Sequence, residues 1–351
     1  MSRTMKAVVT SAVGGPDALV FRTGVAVPQL GPGQMLVRNE WIGVNYIDTY
    51  VHCFHPSPTR KRLADKIPSY YRNGLYPAPL PLTVGAEGAG VIESVHESVA
   101  GFHAGDRVAY LTPERGAYAQ FTAVRAANTL LLPQTVSTRT VAASLLQGLT
   151  AITLIRDAHP VKATDWVLVT AAAGGVGSVL CEMLATTGAK VIGTAGTPEK
   201  MEQAKRNGAH WCLNSRATTE EIISQVRSIT GGHGVDAVYD GVGQATFDMN
   251  FELAAPKATI CTYGNASGPV PPFDVKRLGP KNLKLCRPVV FHYMTSEEDF
   301  QRYATELVKM LANGTVKLRN VSEYLLEDAR QAHVDLEARE TVGKYILKAP
   351  S

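Results

Sequence analysis

The sequence predicts an α/β protein of two domains, a β-rich domain followed by one built on a parallel sheet. Three observations support this prediction. The chain has 351 residues, of which 45% are hydrophobic and 19% charged, which is enough for two cores and outside the range of disordered, collagen-like or coiled-coil proteins. Short apolar runs separated by Gly and Pro fill the region before about residue 132. After Pro133, short apolar runs alternate with helix-like segments, and this strand–helix–strand pattern is typical of a parallel sheet with helical crossovers.

The first region reads as an irregular β domain. Its turn signals are glycine and proline clusters at residues 14–16, 31–33 and 104–106, where the backbone needs a positive or preset φ. Between them lie alternating or apolar runs of strand length. The predicted strands cover residues 6–10, 35–41, 90–95, 107–111 and 118–124.

The second region predicts strands and helices in alternation. One helix is expected over residues 141–157 and another over residues 176–187, and a later helix over residues 297–312 precedes a last strand at 344–347. The strands expected in this sheet cover residues 166–171, 190–194, 235–240 and 258–263. We see no internal repeat or low-complexity tract.

A glycine-rich turn follows the first of these strands. Small residues at Ala172, Gly174 and Gly177 match the spacing that binds the pyrophosphate of a dinucleotide, with Ala in the first position. The strand before the turn and the helix after it supply the context that the motif requires. The helix would then point free N–H groups and a positive dipole end at the phosphates. The alternative is a glycine-rich helix cap without a ligand.

The next strand favours NADPH over NADH. NAD-binding folds carry an acid about 20 residues beyond the turn, to hold the ribose 2′-hydroxyl. Residues 193–197 (GTAGT) contain no acid, whereas the cations Lys200 and Arg216 follow, as a 2′-phosphate requires. Glu199 is the one residue that argues against NADPH. If its side chain pointed to the ribose, the prediction would change to NADH, but Glu199 can equally be a first-turn acid of the next helix.

The net positive charge of the chain comes from one segment. The formal net charge is +4, and residues 53–72 hold five basic side chains against one acid, which accounts for all of it. We interpret residues 52–71 as a solvated surface insertion, with a lid or a polyanion contact as alternatives.

The cysteine content argues against a disulfide framework or a zinc ribbon. The five cysteines form no CxxC pair, and their number is odd. With no signal-like N-terminus and no long apolar stretch, we expect a cytoplasmic protein without a membrane span.

Taken together, the motifs resemble those of the zinc-independent quinone oxidoreductases, the zeta-crystallin-like branch of the medium-chain dehydrogenase/reductase superfamily. The resemblance runs almost end to end, and the combination of motifs is specific although each is weak alone. It rests on residues 43–50 (GVNYIDTY), 72–77 (RNGLYP), 85–90 (GAEGAG), 105–108 (GDRV), 116–118 (GAY), 171–177 (AAAGGVG) and 193–194, and on Asp240 with Gly243.

The resemblance implies a GroES-like catalytic domain over residues 1–140 with the insertion at 52–71, a Rossmann NADPH-binding domain over 141–290, and a C-terminal part, 291–351, that completes the catalytic domain. It also implies a homodimer, a coenzyme held between the domains, and a hydride transferred to a quinone or related enone. The implied coenzyme contacts are Tyr46, Ile47, Asp48, Thr49, Gly174, Gly175, Val176, Gly177, Gly196, Thr197, Lys200, Ser215, Arg216, Gly241, Tyr263, Gly264, Asn265, Pro288, Phe291 and Arg339. Ser215 stands where relatives often place a Tyr beside the 2′-phosphate, and Arg216 is expected to compensate.

No metal site is expected. Zinc relatives carry a His before the Glu of the 85–90 motif, whereas this chain has Ala86, which cannot ligate zinc, and residues 45–49 supply no thiol. The soft ligands His52, Cys53 and His55 in the insertion suggest at most an adventitious site. A quinone or enone accepts hydride without a Lewis acid because its oxygen shares the developing charge.

Three residues are candidates for stabilising that oxygen: Asn45, Tyr50 and Tyr76. For each tyrosine the alternative is ordinary packing, and the proton could also come from water. Asp48 and Glu87 are expected to be structural acids, with Glu87 paired to a nearby Arg or to backbone amides. Two other functions stay open: a 2-alkenal or enone double-bond reductase, and an NADPH-binding protein with a structural or RNA-binding role, although nucleic-acid binding is not favoured.

Overall fold

The computed structural model describes residues 3–12, 14–52, 79–338 and 342–350, without the side chains of residues 50–52, and it divides into two compact units. The first unit comprises Met1–Leu146, Ser296–Thr305 and Asn320–Ser351. The second comprises Gln147–Thr295 and Glu306–Arg319. Residues 306–319, which the sequence assigns to the first domain, therefore pack within the second unit.

The first unit contains two sheets. A three-stranded sheet has the order β2-β1-β4, and a seven-stranded sheet has the order β15-β16-β3-β5-β6-β8, with β7 also paired to β3. Most pairs are antiparallel, as the short alternating runs predict, and β15 and β16 are parallel. The strands are β1 (Thr4–Thr10), β2 (Leu19–Ala26), β3 (Gln34–Val44), β4 (Leu82–Thr83), β5 (Glu87–Val95), β6 (Arg107–Leu111), β7 (Phe121–Arg125), β8 (Thr129–Leu131), β15 (Val321–Leu325) and β16 (Lys344–Lys348).

Strand β3 lies at the centre of this unit. It pairs with β5, β7 and β16, and its side chains Met35, Val37 and Ile42 are fully buried in the main core cluster. Burying an aliphatic side chain of this size stabilises the fold by about 1.5–3 kcal/mol. The end of β3, at Val44, leads directly into helix α1 (Tyr46–His52), so the core strand positions the first residues of the candidate site.

The second unit has a six-stranded parallel sheet in the order β11-β10-β9-β12-β13-β14. Numbered from β9, this is the order 3-2-1-4-5-6 of a doubly wound dinucleotide-binding fold, in which the strand order reverses between β9 and β12. The strands are β9 (Trp166–Val169), β10 (Lys190–Ala195), β11 (Trp211–Asn214), β12 (Val235–Asp240), β13 (Ala254–Thr262) and β14 (Lys284–Cys286). The predicted parallel α/β domain is thus confirmed.

Helices cover both units. The remaining α-helices are α2 (Thr138–Ala142), α3 (Leu145–Thr153), α4 (Gly175–Leu184), α5 (Pro198–Arg206), α6 (Thr219–Ile229), α7 (Phe247–Leu253), α8 (Val290–Tyr293), α9 (Glu297–Ala312) and α10 (Ala329–Glu337). Short 3-10 helices span Pro16–Ala18, Ala126–Asn128, Val275–Lys281 and Leu326–Asp328. Among the residues that the structure describes, no helix is long and apolar enough to cross a membrane.

The single helix expected over residues 141–157 is wrong. The segment forms α2 and α3, and a π-helical turn, Leu154–Ala158, continues α3. Between the two helices, the Ser144 hydroxyl donates to the Thr140 carbonyl oxygen at 2.9 Å, and the Leu146 amide donates to the carboxylate of Glu87 at 2.7 Å. These contacts replace the helical hydrogen bonds of a continuous segment, and hydrophobic periodicity does not reveal them.

Candidate active site

The predicted coenzyme contacts of the second unit all follow the carboxyl ends of its strands. This edge is where open parallel sheets bind their ligands, beside the point at which strand order reverses. Gly174 to Gly177 follow β9, and Gly196, Thr197 and Lys200 follow β10. Ser215 and Arg216 follow β11, and Gly241 follows β12. Tyr263, Gly264 and Asn265 follow β13, and Pro288 and Phe291 follow β14. The topology therefore collects at one edge residues that lie far apart in the chain.

The turn after β9 is shaped for a close backbone approach. Ala171 adopts a left-handed φ of 49°, and Gly174 donates its N–H to the Ala171 carbonyl oxygen at 2.8 Å. A Cβ on Gly177 would lie 2.3 Å from that same oxygen, so only glycine fits. Helix α4 then begins at Gly175 without any side-chain cap. Its first N–H groups are available to an anion, and the helix dipole favours a phosphate there.

Strands β10 and β11 bring together the residues expected around the adenosine ribose. A Cβ on Gly196 would lie 3.4 Å from both the Arg216 Nε and the Ser215 Oγ, so these two side chains lie over the end of β10. The Arg216 backbone N–H donates to Asn214 Oδ1 at 2.9 Å, which fixes the start of the Arg216 side chain. An exposed guanidinium at this point suits a phosphate ester on the ribose.

Glu199 takes the role of a first-turn acid. Thr197 caps helix α5 by accepting the Lys200 N–H at 3.3 Å. Hydrogen bonds to its own backbone N–H and to the Thr197 hydroxyl lower the pKa of Glu199. Its carboxylate is thus engaged at the helix N-terminus, which favours the interpretation in which Lys200 and Arg216, and not an acid, face the ribose.

Asp240, at the end of β12, organises the adjoining loop from a fully buried position. Its carboxylate accepts hydrogen bonds from the Thr170 and Thr246 hydroxyls and the Asn250 amide, each at 2.9 Å. It also accepts the backbone N–H groups of residues 242 and 243. Because these five donors satisfy the hydrogen-bonding capacity of the buried carboxylate, Asp240 is a structural residue that holds the loop from Gly241 in place.

The loops after β12 and β13 touch backbone to backbone. A Cβ on Gly264 would lie 2.3 Å from the Gly241 carbonyl oxygen, and a Cβ on Gly241 would lie 2.8 Å from the Tyr263 hydroxyl. With its amide correctly oriented, Asn265 accepts a hydrogen bond from Arg287 at 2.9 Å, and Arg287 also donates to the Thr262 carbonyl oxygen at 2.6 Å. Arg287 was not among the predicted contacts, although a cation directly before the predicted contact Pro288 is a usable signal.

These features fit a dinucleotide. The turn offers free N–H groups at a backbone surface that a Cβ would fill, and cations follow β10 and β11 without a competing acid. Pro288 and Phe291 lie half-buried after β14, Phe291 on helix α8. The Rossmann-type edge therefore has the donors and the space that a phosphorylated coenzyme requires.

The first unit buries an ion pair beside the predicted catalytic residue Asn45. Glu87 is fully buried on β5, and the Lys344 ammonium lies 2.7 Å from its Oε1 atom. The Asn45 amide joins both: its Nδ2 donates to Glu87 Oε1 at 2.7 Å, and its Oδ1 accepts from Lys344 at 2.6 Å. A Cβ at Gly43 would lie 2.0 Å from the Glu87 carboxylate, so glycine makes room for the acid.

The expectation that Glu87 pairs with an Arg is wrong, because its cation is Lys344; the expected contact with a backbone amide is confirmed by the Leu146 N–H. Sequence reasoning missed Lys344. A lysine directly before the apolar residues 345–347 of the final strand is the signal that could have found it. The network holds Asn45 by three hydrogen bonds, since its backbone N–H also donates to Asp48 Oδ2 at 2.9 Å.

Asp48 continues this buried network. Its removal from water raises the pKa of the Asp48 carboxyl to about 6, although the nearby charges of Arg115 and Lys344 oppose the shift. The Tyr118 hydroxyl lies 3.4 Å from Asp48 Oδ2 and 2.9 Å from the His333 ring Nε2. The arrangement can hold a proton near neutral pH. Tyr118 belongs to the 116–118 motif, and His333 is a further member that no sequence motif predicted.

The other predicted residues of helix α1 have structural contacts. The Tyr46 hydroxyl donates to the Leu336 carbonyl oxygen at 3.0 Å, and the buried Thr49 hydroxyl donates to the Tyr46 carbonyl oxygen at 2.8 Å. Ile47 is half-buried on the same helix. Their expected contacts with the coenzyme remain predictions.

Several predicted residues lie outside the described part of the chain. They are the Tyr50 and His52 side chains, and Cys53, His55, Tyr76 and Arg339, together with the rest of the insertion at 52–71. Among the described residues, no three His, Cys, Asp or Glu side chains come together as a metal-binding group.

Two family models match the chain. Residues 31–134 match the alcohol dehydrogenase GroES-like domain, and residues 175–310 match the zinc-binding dehydrogenase domain. Together with the doubly wound sheet and its glycine-rich turn, these matches define a two-domain dehydrogenase/reductase of the medium-chain superfamily.

Individual relatives narrow the family. A probable quinone oxidoreductase of Schizosaccharomyces pombe is 37% identical over 95% of this chain and 94% of its own length. A solved structure of Escherichia coli quinone oxidoreductase complexed with NADPH is 33% identical, with a TM-score of 0.87 over 98% of this chain and 99% of that one. The chain belongs to the quinone oxidoreductase family. A 2-haloacrylate reductase of Burkholderia is 34% identical over 97% of this chain and 98% of its own length.

Proposed function

We propose that this protein reduces quinones and related conjugated carbonyl compounds with NADPH. The observation that carries the proposal is the arrangement at the carboxyl ends of the strands of the second unit. It combines the glycine-rich turn, the start of helix α4 without a side-chain cap, and the cations Lys200 and Arg216 expected beside the ribose. Family membership supplies the acceptor class, since the relatives at 34–37% identity include several quinone oxidoreductases.

The chain's own residues bind the coenzyme by charge and backbone. The N–H groups of Gly175, Val176 and Gly177 would hold the pyrophosphate, and Lys200 and Arg216 would hold the 2′-phosphate. Tyr263 to Asn265, Pro288, Phe291 and Arg339 are the remaining proposed contacts. Bound NADPH supplies a hydride. The loops after β12 and β13 would orient the coenzyme, because Asp240 holds both. Its carboxylate accepts the Val242 N–H and the Thr246 hydroxyl, and its carbonyl oxygen accepts the N–H groups of Tyr263 and Gly264.

On the acceptor side, Asn45 is the proposed donor to the acceptor oxygen. One N–H of its amide is engaged by Glu87 at 2.7 Å, whereas the other reaches only the Gly43 carbonyl oxygen at 3.5 Å, too long for a strong hydrogen bond. Lys344 holds the amide oxygen and thereby fixes which edge of Asn45 carries the donors. Tyr50 and Tyr76 are proposed as further donors, and solvent can protonate a hydroquinone.

The acceptor class is tested by stopped-flow absorbance of NADPH mixed with 1,4-benzoquinone, 9,10-phenanthrenequinone or a 2-alkenal. We expect oxidation of NADPH well above the enzyme-free rate with the quinones. If none of the three acceptors oxidises NADPH faster than that control, the proposed chemistry is wrong.

The coenzyme preference is tested by replacing Lys200 and Arg216 with Ala. A hydrogen bond to a charged group contributes about 1.5–3 kcal/mol, so each cation is worth roughly 10- to 100-fold in NADPH affinity. NADH affinity should change little. Lys205→Ala is the matched control, because Lys205 lies on the same helix, is not a predicted coenzyme contact, and pairs with Glu202 at 2.9 Å. Equal losses for both coenzymes would contradict the assigned contacts.

A second acceptor class deserves a parallel assay. The Burkholderia relative is a 2-haloacrylate reductase, which is compatible with the alternative that this chain reduces the double bond of an enone. 2-Chloroacrylate and a 2-alkenal, compared with benzoquinone at equal concentration, distinguish the two. A kcat/KM for either alkene above that for the quinones would reverse the order of the two functions.

We also propose a homodimer in the cytoplasm, with a small-molecule acceptor and without a nucleic-acid partner. Strand β14 is the last strand of the described sheet, with a described neighbour on one side, β13. An edge of this kind can pair with a second copy. Light scattering after size exclusion should give twice the mass of the 37.7 kDa chain. A salt-dependent RNA gel shift lost on deleting residues 56–70 would support the non-catalytic alternative instead.

A further inference from the structure

Two cysteines face each other across the last two strands of the parallel sheet. Cys261 on β13 and Cys286 on β14 are register partners, and their sulfur atoms lie 3.3 Å apart. Register partners on parallel strands point to the same face of the sheet, with strands about 4.8 Å apart. A disulfide requires Cα atoms about 4.4–6.8 Å apart, so the backbone already provides this spacing.

The two thiols differ in reactivity. Cys261 is fully buried, and its hydrogen-bonded contact with Cys286, together with burial, raises the pKa of its thiol. Cys286 is only partly buried, and the same contact lowers the pKa of its thiol. Pairing of β14 with a second copy would engage its backbone edge, whereas its side chains point to the faces of the sheet. Since the thiolate is the nucleophile, Cys286 is therefore the sulfur that hydrogen peroxide would meet first.

The other described cysteines lack this arrangement. Burial raises the pKa of Cys181, and it raises the pKa of Cys212 to about 11. Both are buried free thiols, Cys181 on helix α4 and Cys212 on β11. Within the described residues, Cys261 and Cys286 are thus the pair that combines sulfur contact with partial access.

We propose that Cys261 and Cys286 form a reversible, peroxide-driven disulfide across β13 and β14. The Cys286 thiolate attacks one oxygen of hydrogen peroxide; an S–O bond forms, the O–O bond breaks, and hydroxide leaves with the electron pair. The Cys261 thiol gives its proton to that hydroxide, which becomes water, and the Cys261 thiolate attacks the sulfenic sulfur. An S–S bond forms, the S–O bond breaks, and the departing hydroxide takes up the proton that Cys286 had lost and becomes the second water. Overall two thiols lose two electrons and two protons, and one peroxide becomes two water molecules.

The required movement is small. The sulfur atoms must approach from 3.3 Å to about 2.05 Å, which side-chain rotation and a slight strand shift can supply. The bond would lie directly before two segments proposed to contact the coenzyme, since Tyr263 follows Cys261 by two residues and Pro288 follows Cys286 by two. A transient disulfide of this kind is compatible with a reducing compartment, where cysteine pairs act as redox sensors.

The test uses the reduced full-length protein treated with hydrogen peroxide, alkylated, digested and analysed by mass spectrometry without reduction. We expect a peptide pair linked through Cys261 and Cys286, loss of both thiols, and their recovery with dithiothreitol. The Cys53→Ser variant is the matched control and should give the same linked pair. This readout does not depend on catalysis, so its failure is distinguishable from failure of the proposed reductase function.

Two variants separate the roles of the sulfurs. Cys261→Ser should leave a sulfenic acid on Cys286 that dimedone traps, and Cys286→Ser should leave the Cys261 thiol unmodified. The wild-type result alone can overturn the proposal, so it does not depend on the variants folding. Dimedone on wild-type Cys286 without a linked pair, no oxidation of either thiol, or a link from Cys286 to Cys53 or to a second copy would each refute it.

Discussion

Replacing Lys344 with Met should strongly destabilise the first unit. The lysine ammonium lies 2.7 Å from Glu87 and 2.6 Å from Asn45, and the exposed fractions of the two charged side chains are 4% for Lys344 and 0% for Glu87. Methionine keeps most of the apolar stem but leaves the Glu87 carboxylate buried without its cation. The variant therefore isolates the electrostatic part of the contact.

The expected magnitude follows from what Glu87 retains. Breaking a buried ion pair by removing one partner costs about 3–5 kcal/mol. Glu87 keeps the Leu146 N–H and the Asn45 amide, each at 2.7 Å, so we expect the lower end, about 3 kcal/mol of unfolding free energy. The double variant Glu87→Gln/Lys344→Met removes both charges and should lose less than the sum of the single variants.

Urea unfolding followed by tryptophan fluorescence measures this change. Because the chain has two units, the probe must report on the first alone, and the Trp166→Phe/Trp211→Phe background leaves Trp41, on β3, as its only tryptophan. Lys6→Met is the control, since Lys6 is exposed on β1 and should change stability by about 0.5 kcal/mol or less. A loss below about 1 kcal/mol for Lys344→Met would refute the assigned role of the ion pair.

Two further predictions concern the network and the turn. Because burial raises the pKa of Asp48 from 3.8 to about 6, the folded state binds this proton more tightly than the unfolded state, and its contribution to stability falls as pH rises between those values. Asp48→Asn should remove this pH-dependent loss of stability, which is worth about 3 kcal/mol of unfolding free energy. Urea unfolding of the variant and the wild type at pH 4 and pH 7 measures it, and the same pH dependence in both proteins would contradict the prediction. Gly177→Ala places a Cβ 2.3 Å from the Ala171 carbonyl oxygen and should weaken NADPH binding at least about tenfold by fluorescence titration, with about 1–3 kcal/mol lost in stability. Gly279→Ala, where nothing lies within 4 Å, should leave both unchanged, and similar effects of the two substitutions would count against a special role for the turn.

Features that depend on neighbouring residues were predictable from the amino-acid sequence. The alternation of apolar runs and helical segments after Pro133 predicted the parallel sheet, and the spacing of Ala172, Gly174 and Gly177 predicted the turn that follows β9. Both signals are local, because a strand, its turn and the next helix occupy about 20 consecutive residues. The resemblance to the quinone oxidoreductases rests on such short motifs, and the comparisons confirm it.

Contacts between side chains that are distant in the chain became visible only once the strands were placed in their sheets. Glu87 and Lys344 are separated by 257 positions, and they pair because β5 and β16 both lie beside β3. Cys261 and Cys286 face each other because two parallel strands align in one register. The break between helices α2 and α3 likewise depends on a distant residue, the Glu87 carboxylate on β5, which accepts the Leu146 N–H. Strand order, register and burial fix these contacts, and they are properties of the packed chain that no local spacing of residues encodes.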